Sequence, residues 1–139
     1  MFHLDPAFET TSTGLASLAL CEARLQLDAR FSWIVLVPRL DGAAELEDLS
    51  AEELAMLTSE IVLVGKAVRA IGEALGRSVE KLNVGQLGNI TRQLHIHVVG
   101  RRRDDPSWPG PVWGHGVAAA YEPGALEAAK AAARCVLTS

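Results

Sequence analysis

Residues 50–76 most limit how this chain can fold. Ser50-Ala51-Glu52-Glu53 reads as a capping box, in which the Ser hydroxyl accepts from the Glu53 amide and the Glu53 carboxylate reaches back. Behind it Leu54, Leu57, Ile61, Val64, Val68, Ile71 and Leu75 advance by steps of three and four. That spacing draws one apolar stripe along a helix of about seven turns. Gly76 is a natural stop just past its end.

Short β-like runs lie on either side of this helix. From Leu18 to Leu27, Leu20, Glu22, Arg24 and Gln26 alternate with Cys21, Ala23, Leu25 and Leu27, which reads as a strand with one wet face. Trp33-Ile34-Val35-Leu36-Val37, stopped by Pro38, suits a central strand buried on both faces. Its closeness to the preceding run predicts an antiparallel pair. Val79 to Leu87 reads as a third strand that breaks up in Gly85-Gln86-Leu87-Gly88-Asn89, and Gln93 to Arg101 as a fourth. Pro123 stands at a first helical position, opening a short Ala-rich helix to Val136. Residues 1–14 read as an irregular lead-in, Arg39 to Leu49 as a polar loop, and Arg101 to Gly116 as an extended arm. The order β-β-α-β-β-α predicts an α+β fold with an antiparallel sheet. We expect one domain over residues 1–139, with a core over 18–113 and a C-terminal arm and helix over 114–139.

Composition narrows the function classes. With 139 residues, 49 % hydrophobic and 22 % charged, the chain is long and apolar enough for one globular core. A net charge of −4 argues against broad nucleic-acid binding, which needs a basic face. It leaves room for small phosphorylated ligands, which need only local donors. The two cysteines, Cys21 and Cys135, form no C-x-x-C, so neither a disulfide framework nor a cysteine zinc site is expected; both read as core or near-core residues. Met1 to Pro6 has no basic, apolar leader, and no apolar run approaches the ~18 residues of a membrane span. The expectation is a cytoplasmic protein with no membrane partner.

The chemistry concentrates in Gln93-Leu94-His95-Ile96-His97-Val98-Val99. On a strand, Leu94, Ile96 and Val98 would face a core, while Gln93, His95 and His97 line the other face roughly 7 Å apart. Two imidazoles at that spacing can share one phosphate-sized group. His-x-His is also a metal-ligand spacing, for which His3, His115, Asp28 or Asp41 are the candidate third ligands. We expect neither metal nor cofactor.

This segment resembles the signature of the histidine-triad (HIT) family, His-φ-His-φ-His-φ-φ with φ apolar, the first histidine position being Gln93. Asn83, Gly88 and Asn89 precede it at comparable distances, Val35-Leu36-Val37-Pro38-Arg39 supplies the expected strand ahead of the long helix, and Trp108-Pro109-Gly110 is similar to an element that follows the motif in one branch. The resemblance implies a HIT-like fold, a purine nucleotide or nucleotide conjugate (phosphoramidate or dinucleoside polyphosphate) as ligand, and cleavage at the α-phosphate. By position, His95 would be the nucleophile and His97 would contact the phosphate or leaving group. Asn89 would reach the phosphate, Asn83 would support the site, and Asp28 would bind the ribose hydroxyls. The resemblance also implies a homodimer, with the Pro/Trp/Gly arm packed on the second subunit.

Two positions depart from the pattern. Gln93 can hydrogen-bond but carries neither charge nor a titrating proton. Trp33 stands where one branch of the family places another histidine. A hydrolase or transferase working through a nucleotidyl-histidine is the first reading; a nucleotide-binding or regulatory module with negligible turnover is the alternative. Arg101-Arg102-Arg103 could attract a polyphosphate tail or form a solvated arm, and Trp108 and Trp113 could stack on a base.

Overall fold

The computed structural model describes residues 1–139. Five strands build one sheet: β1 (Ser12–Ser17), β2 (Cys21–Gln26), β3 (Ser32–Pro38), β4 (Lys81–Gly85) and β5 (Ile96–Arg101). Their order is β1-β2-β3-β5-β4, and every neighbouring pair is antiparallel. Three helices accompany them: α1 (Pro6–Thr11), α2 (Ala51–Ala74) and α3 (Pro123–Leu137). The fold is the expected α+β class, with one long helix and a short C-terminal helix on an antiparallel sheet.

The long helix begins as its sequence dictates. The Ser50 hydroxyl accepts from the Glu53 amide, and the Glu53 carboxylate accepts from the Ser50 amide. Past its end Gly76 takes φ +69°, a conformation that favours glycine. Leu57, Val64, Val68 and Ile71 are buried against the sheet, each contributing about 1.5–3 kcal/mol of transfer free energy. The stripe is weaker at its ends, where Leu54 is exposed and Leu75 half-buried.

The lead-in is not irregular. Asp5 caps α1 by accepting from the Ala7 amide, and Pro6 supplies the first helical φ. β1 follows and forms the sheet edge beside β2, from Ser12 opposite Gln26 to Ser17 opposite Glu22. A six-residue helix is too short to show a period, which is why no pattern marks it. Between β1 and β2 the chain turns, and the buried Glu60 carboxylate on α2 accepts the Leu20 and Cys21 amides at 2.7 and 2.9 Å. Cys21 is buried as expected, whereas Cys135 is exposed on the outer side of α3.

Two further expectations change. The 93–99 strand starts only at Ile96, because β3 ends at Pro38, which has no N–H to continue a ladder. The Leu94 amide instead donates to the Ala43 carbonyl. The 101–116 arm is neither extended nor solvated at its start. Arg101 is 1 % exposed, and its guanidinium donates to both Asp105 oxygens, to Asn83 Oδ1 and to Ser107 Oγ. It also sits over the Phe31 and Trp108 rings. The arm then folds back over the sheet, burying Val112 and laying Trp113 on it.

The alternation of β3 and β5 creates two cores. Ile34, Leu36, Ile96 and Val98 face α2 and α3 in a large apolar cluster. Trp33, Val35, Val37 and Val99 face the other way, under Phe8 of α1 and Val112 of the arm. His97 lies on this second face, opposite Val35 of β3 and Gly85 of β4.

Candidate active site

His95 and His97 meet on that second face with ring centroids 4.9 Å apart and planes at 76°. Both are nearly enclosed, at 7 % and 9 % exposure. The Phe8 ring stands edge-on to His95 at 4.9 Å. His97 is flanked by Trp33 at 5.6 Å and Trp113 at 5.4 Å.

Hydrogen bonds assign the ring nitrogens. His95 Nδ1 is 2.7 Å from the Gln93 carbonyl, which can only accept, so Nδ1 carries the proton and Nε2 keeps the lone pair. His97 has the opposite arrangement. The Trp33 indole N–H can only donate, and it meets His97 Nδ1 at 3.0 Å, so in the neutral ring the proton is on Nε2. The two imidazoles thus present one acceptor and one donor nitrogen. Burial, with a smaller contribution from positive charge at His95, pushes the His97 pKa down to about 3.

A cavity of about 270 Å³ opens beside His95, lined by Gly88, Asn89, Thr91 and Trp113 among others. It falls just below the ~300–1,000 Å³ of common small-molecule pockets, so a phosphate fits while a larger ligand extends outward. Gly88 takes φ +104° in this loop. Gly85 lets Trp113 lie flat on β4: a Cβ there would stand 2.6 Å from the indole ring.

Of the residues expected at the site, the fold gathers His95, His97, Gly88 and Asn89. Asn83 lies on the same sheet face, but its carbonyl is committed to Arg101. Asp28 sits in the β2–β3 connection, beyond the Ser32 end of β3, while His97 pairs with Val35. Its buried carboxylate accepts from the Arg30 guanidinium and from the Arg30 and Ala119 amides. Burial works to raise the Asp28 pKa, but these hydrogen bonds outweigh it and hold it below the usual carboxylate value. The Gln93 side chain is engaged by the N-terminal segment. Its amide accepts from the Asp5 N–H and donates to the His3 carbonyl, each at 2.8 Å, fastening the N-terminal segment. No group of three His, Cys, Asp or Glu side chains stands close enough to hold a metal ion.

Sequence reasoning missed Phe8 as a neighbour of His95, while Trp113, a candidate for base stacking, forms a wall of the cavity. Asp5-Pro6, a cap residue followed by a first-turn proline, was the available signal for α1. Trp113 had no such signal, since only the folded arm carries it to β4. Trp108 and Trp113 both make contacts within their own chain, to Arg101 and to Trp33.

Residues 7–104 match the HIT domain model. No curated protein matches the chain. Among solved structures, a histidine triad (HIT) protein from Sinorhizobium meliloti 1021 is 40 % identical, covering 98 % of this chain and 97 % of its own, with a TM-score of 0.88. A histidine triad protein from Bradyrhizobium japonicum is 32 % identical over 98 % of each chain, with a TM-score of 0.91. Another from Marinobacter aquaeolei VT8 is 33 % identical, covering 99 % of this chain and 97 % of its own, with a TM-score of 0.89. The chain belongs to the HIT family.

Proposed function

We propose that this chain binds a purine nucleotide conjugate and cleaves it at the α-phosphate through a nucleotidyl-His95 intermediate. The unprotonated Nε2 of His95 carries this reading, because the Gln93 carbonyl holds the only ring proton on Nδ1. Neutral imidazole attacks phosphorus without a separate base. The His97 ring packs against His95, and its Nε2–H would serve as the fixed donor for a phosphoryl or bridging oxygen, while the Gly88–Asn89 loop borders the cavity that His95 lines. Family membership and the geometry support a nucleotide as ligand. Asp28 keeps the ribose contact in this reading, exchanging its Arg30 and Ala119 partners for the two hydroxyls. Gln93 acts through its carbonyl, as the His95 acceptor.

The test is AMP or GMP release from nucleotide conjugates, with acid quench to trap radiolabel on the protein. Wild type accumulates a label that the His95→Ala variant lacks. Calorimetric AMP binding with no release from any conjugate would defeat the hydrolase reading.

A second reading, a binding module with negligible turnover, is favoured by one observation. His95 and His97 are almost fully covered, and Gln93 fastens the segment bearing Phe8 over them. We further propose a homodimer through the β4 edge, where Val84 on the strand and Val62 on α2 are exposed apolar residues. Sedimentation at micromolar concentration tests it. No helix is long and apolar enough to cross a membrane. An unpaired, exposed Cys135 suits a reducing compartment such as the cytoplasm.

A further inference from the structure

We infer that Trp33 is a positioning residue that holds His97 as a neutral Nε2–H donor, and that the site therefore takes conjugates whose leaving group departs as an oxyanion. The inference rests on the nucleotidyl-transfer reading and narrows its substrate class to phosphate esters and anhydrides with acidic leaving groups, against P–N conjugates.

The argument starts from the buried pair of rings. The Trp33 indole N–H is permanently protonated, so the nitrogen it faces at 3.0 Å must offer a lone pair. Protonating His97 Nδ1 would set two N–H groups against each other inside the sheet. The rings packed on His97 are those of Trp33, Trp113 and His95, and its strand partners are Val35 and Gly85. No carboxylate is among them to stabilise an imidazolium. Burial acts in the same direction, holding the His97 pKa at about 3.

The consequence is chemical. A neutral imidazole can donate a hydrogen bond from Nε2, but it cannot surrender that proton at neutral pH. The cavity offers no replacement acid. Its polar lining is Asn89, Thr91 and His95, and the His95 ring proton is held by the Gln93 carbonyl. In the first step the His95 Nε2 pair forms the N–P bond, the P–O bond breaks, and its electron pair leaves with the oxygen. No proton is needed if that oxygen belongs to an acidic conjugate. An amine cannot leave as an anion and must first gain a proton. In the second step water attacks phosphorus, the N–P electrons return to Nε2, and the water's surplus proton goes to solvent.

The experiment has two arms. ¹⁵N-labelled wild type reports the His97 tautomer by long-range ¹H–¹⁵N correlation from pH 5 to 8, with no substrate present. Expected is a single Nε2–H form with no titration in that range. In Trp33→Phe, which keeps an aromatic ring but removes the donor, expected is a tautomer mixture that titrates. An Nδ1–H form, or titration near pH 6–7 in wild type, overturns the inference. The second arm compares kcat/KM for adenosine 5′-(p-nitrophenyl phosphate) and adenosine 5′-phosphoramidate. Expected is a preference for the nitrophenyl ester of about 10²–10⁴, the usual contribution of a general acid. That preference should shrink about tenfold or more in Trp33→Phe towards acid pH, with the change in kcat. Equal rates in wild type overturn the leaving-group assignment. Release from neither compound defeats that assignment together with the proposed function, while the NMR arm still judges the role of Trp33 on its own.

Discussion

The two faces of the sheet are built on different terms. On the helix side, Ile34, Leu36, Ile96 and Val98 meet the stripe of α2 in a large apolar cluster, with the buried Glu60 carboxylate at its edge. On the other side Phe8, Trp33 and Trp113 flank two imidazoles, each with its Nδ1 tied to a named partner. The first face has tolerance, since any well-packed apolar set would hold α2. The second is specified atom by atom, through Trp33 to His97 and His95 to the Gln93 carbonyl. Two strands supply both faces by alternation, so stability and chemistry can be altered separately.

The sharpest break between the faces is His95→Ala. Under the proposed nucleotidyl transfer it should remove essentially all nucleotide release, about 10³-fold or more, since loss of the proposed nucleophile leaves nothing to compensate. Its effect on unfolding should stay small beside that of Ile71→Ala on the helix face. Ile71 is fully buried, and its truncation is expected to destabilise by about 2–5 kcal/mol. Denaturant titration of the two variants checks this. The His97 tautomer in Ile71→Ala should be unchanged. Comparable stability losses in both variants would mean the faces are not separable.

The same contrast explains what could be read in advance. Leu57, Val64, Val68 and Ile71 announce α2 by period, and Ile34 with its β-branched neighbours announces β3, because burial on a regular element imposes a repeat. The His-x-His pair was legible for the same reason: alternation around Ile96 puts both rings away from the core. The lid over them was not. Phe8 lies on a helix too short for a period, and Trp113 reaches β4 only because Arg101, Asp105 and Ser107 turn the arm back. Gln93 shows the limit of alternation itself. Alternation gives it a place in the pattern with His95, but not its partners: the ladder starts three residues later, and its side chain bonds to the N-terminal segment. Arg101 belongs to a charged run in the sequence, but Asp105 and Asn83 enclose it in the fold.

pH separates the faces on a smaller scale. His97 has its folded pKa pushed below its unfolded value, towards about 3. Above about pH 6.5 neither state holds the extra proton, and His97 leaves stability unchanged. Below it the unfolded chain gains a proton that the folded chain refuses, so stability falls as pH drops from about 6.5 towards 3. The slope is at most about 1.4 kcal/mol per pH unit for one proton. Urea titrations at pH 7.0 and 5.0 should show this loss in wild type but not in His97→Gln, which has no titrating group there. Asp28 and Asp105, held below the usual carboxylate value by their arginine partners against the pull of burial, titrate beneath this window and should not blur it. Parallel pH dependence in both proteins would place the proton uptake elsewhere.

The smallest expected effect tests how the second face is closed. Gln93 joins the motif to the N-terminal segment by accepting from the Asp5 amide and donating to the His3 carbonyl. Its backbone carbonyl separately orients His95. Gln93→Leu removes the first pair of bonds and keeps the second, so the His95 tautomer should persist while the segment carrying Phe8 loosens. Both side-chain bonds are partly solvent-reachable, which puts the loss at about 1 kcal/mol, or roughly fivefold in opening. Native-state hydrogen exchange should show faster exchange at the Asp5, Phe8 and Ser12 amides, with those of β3 and α2 unchanged. If β3 amides accelerate equally, the N-terminal segment is part of the global unit and not a separately opening cover. If only the segment accelerates, access to His95 is set by the Gln93 side chain. Loosening it should then raise the on-rate for a nucleotide by about the same factor, without altering the site's own hydrogen bonds.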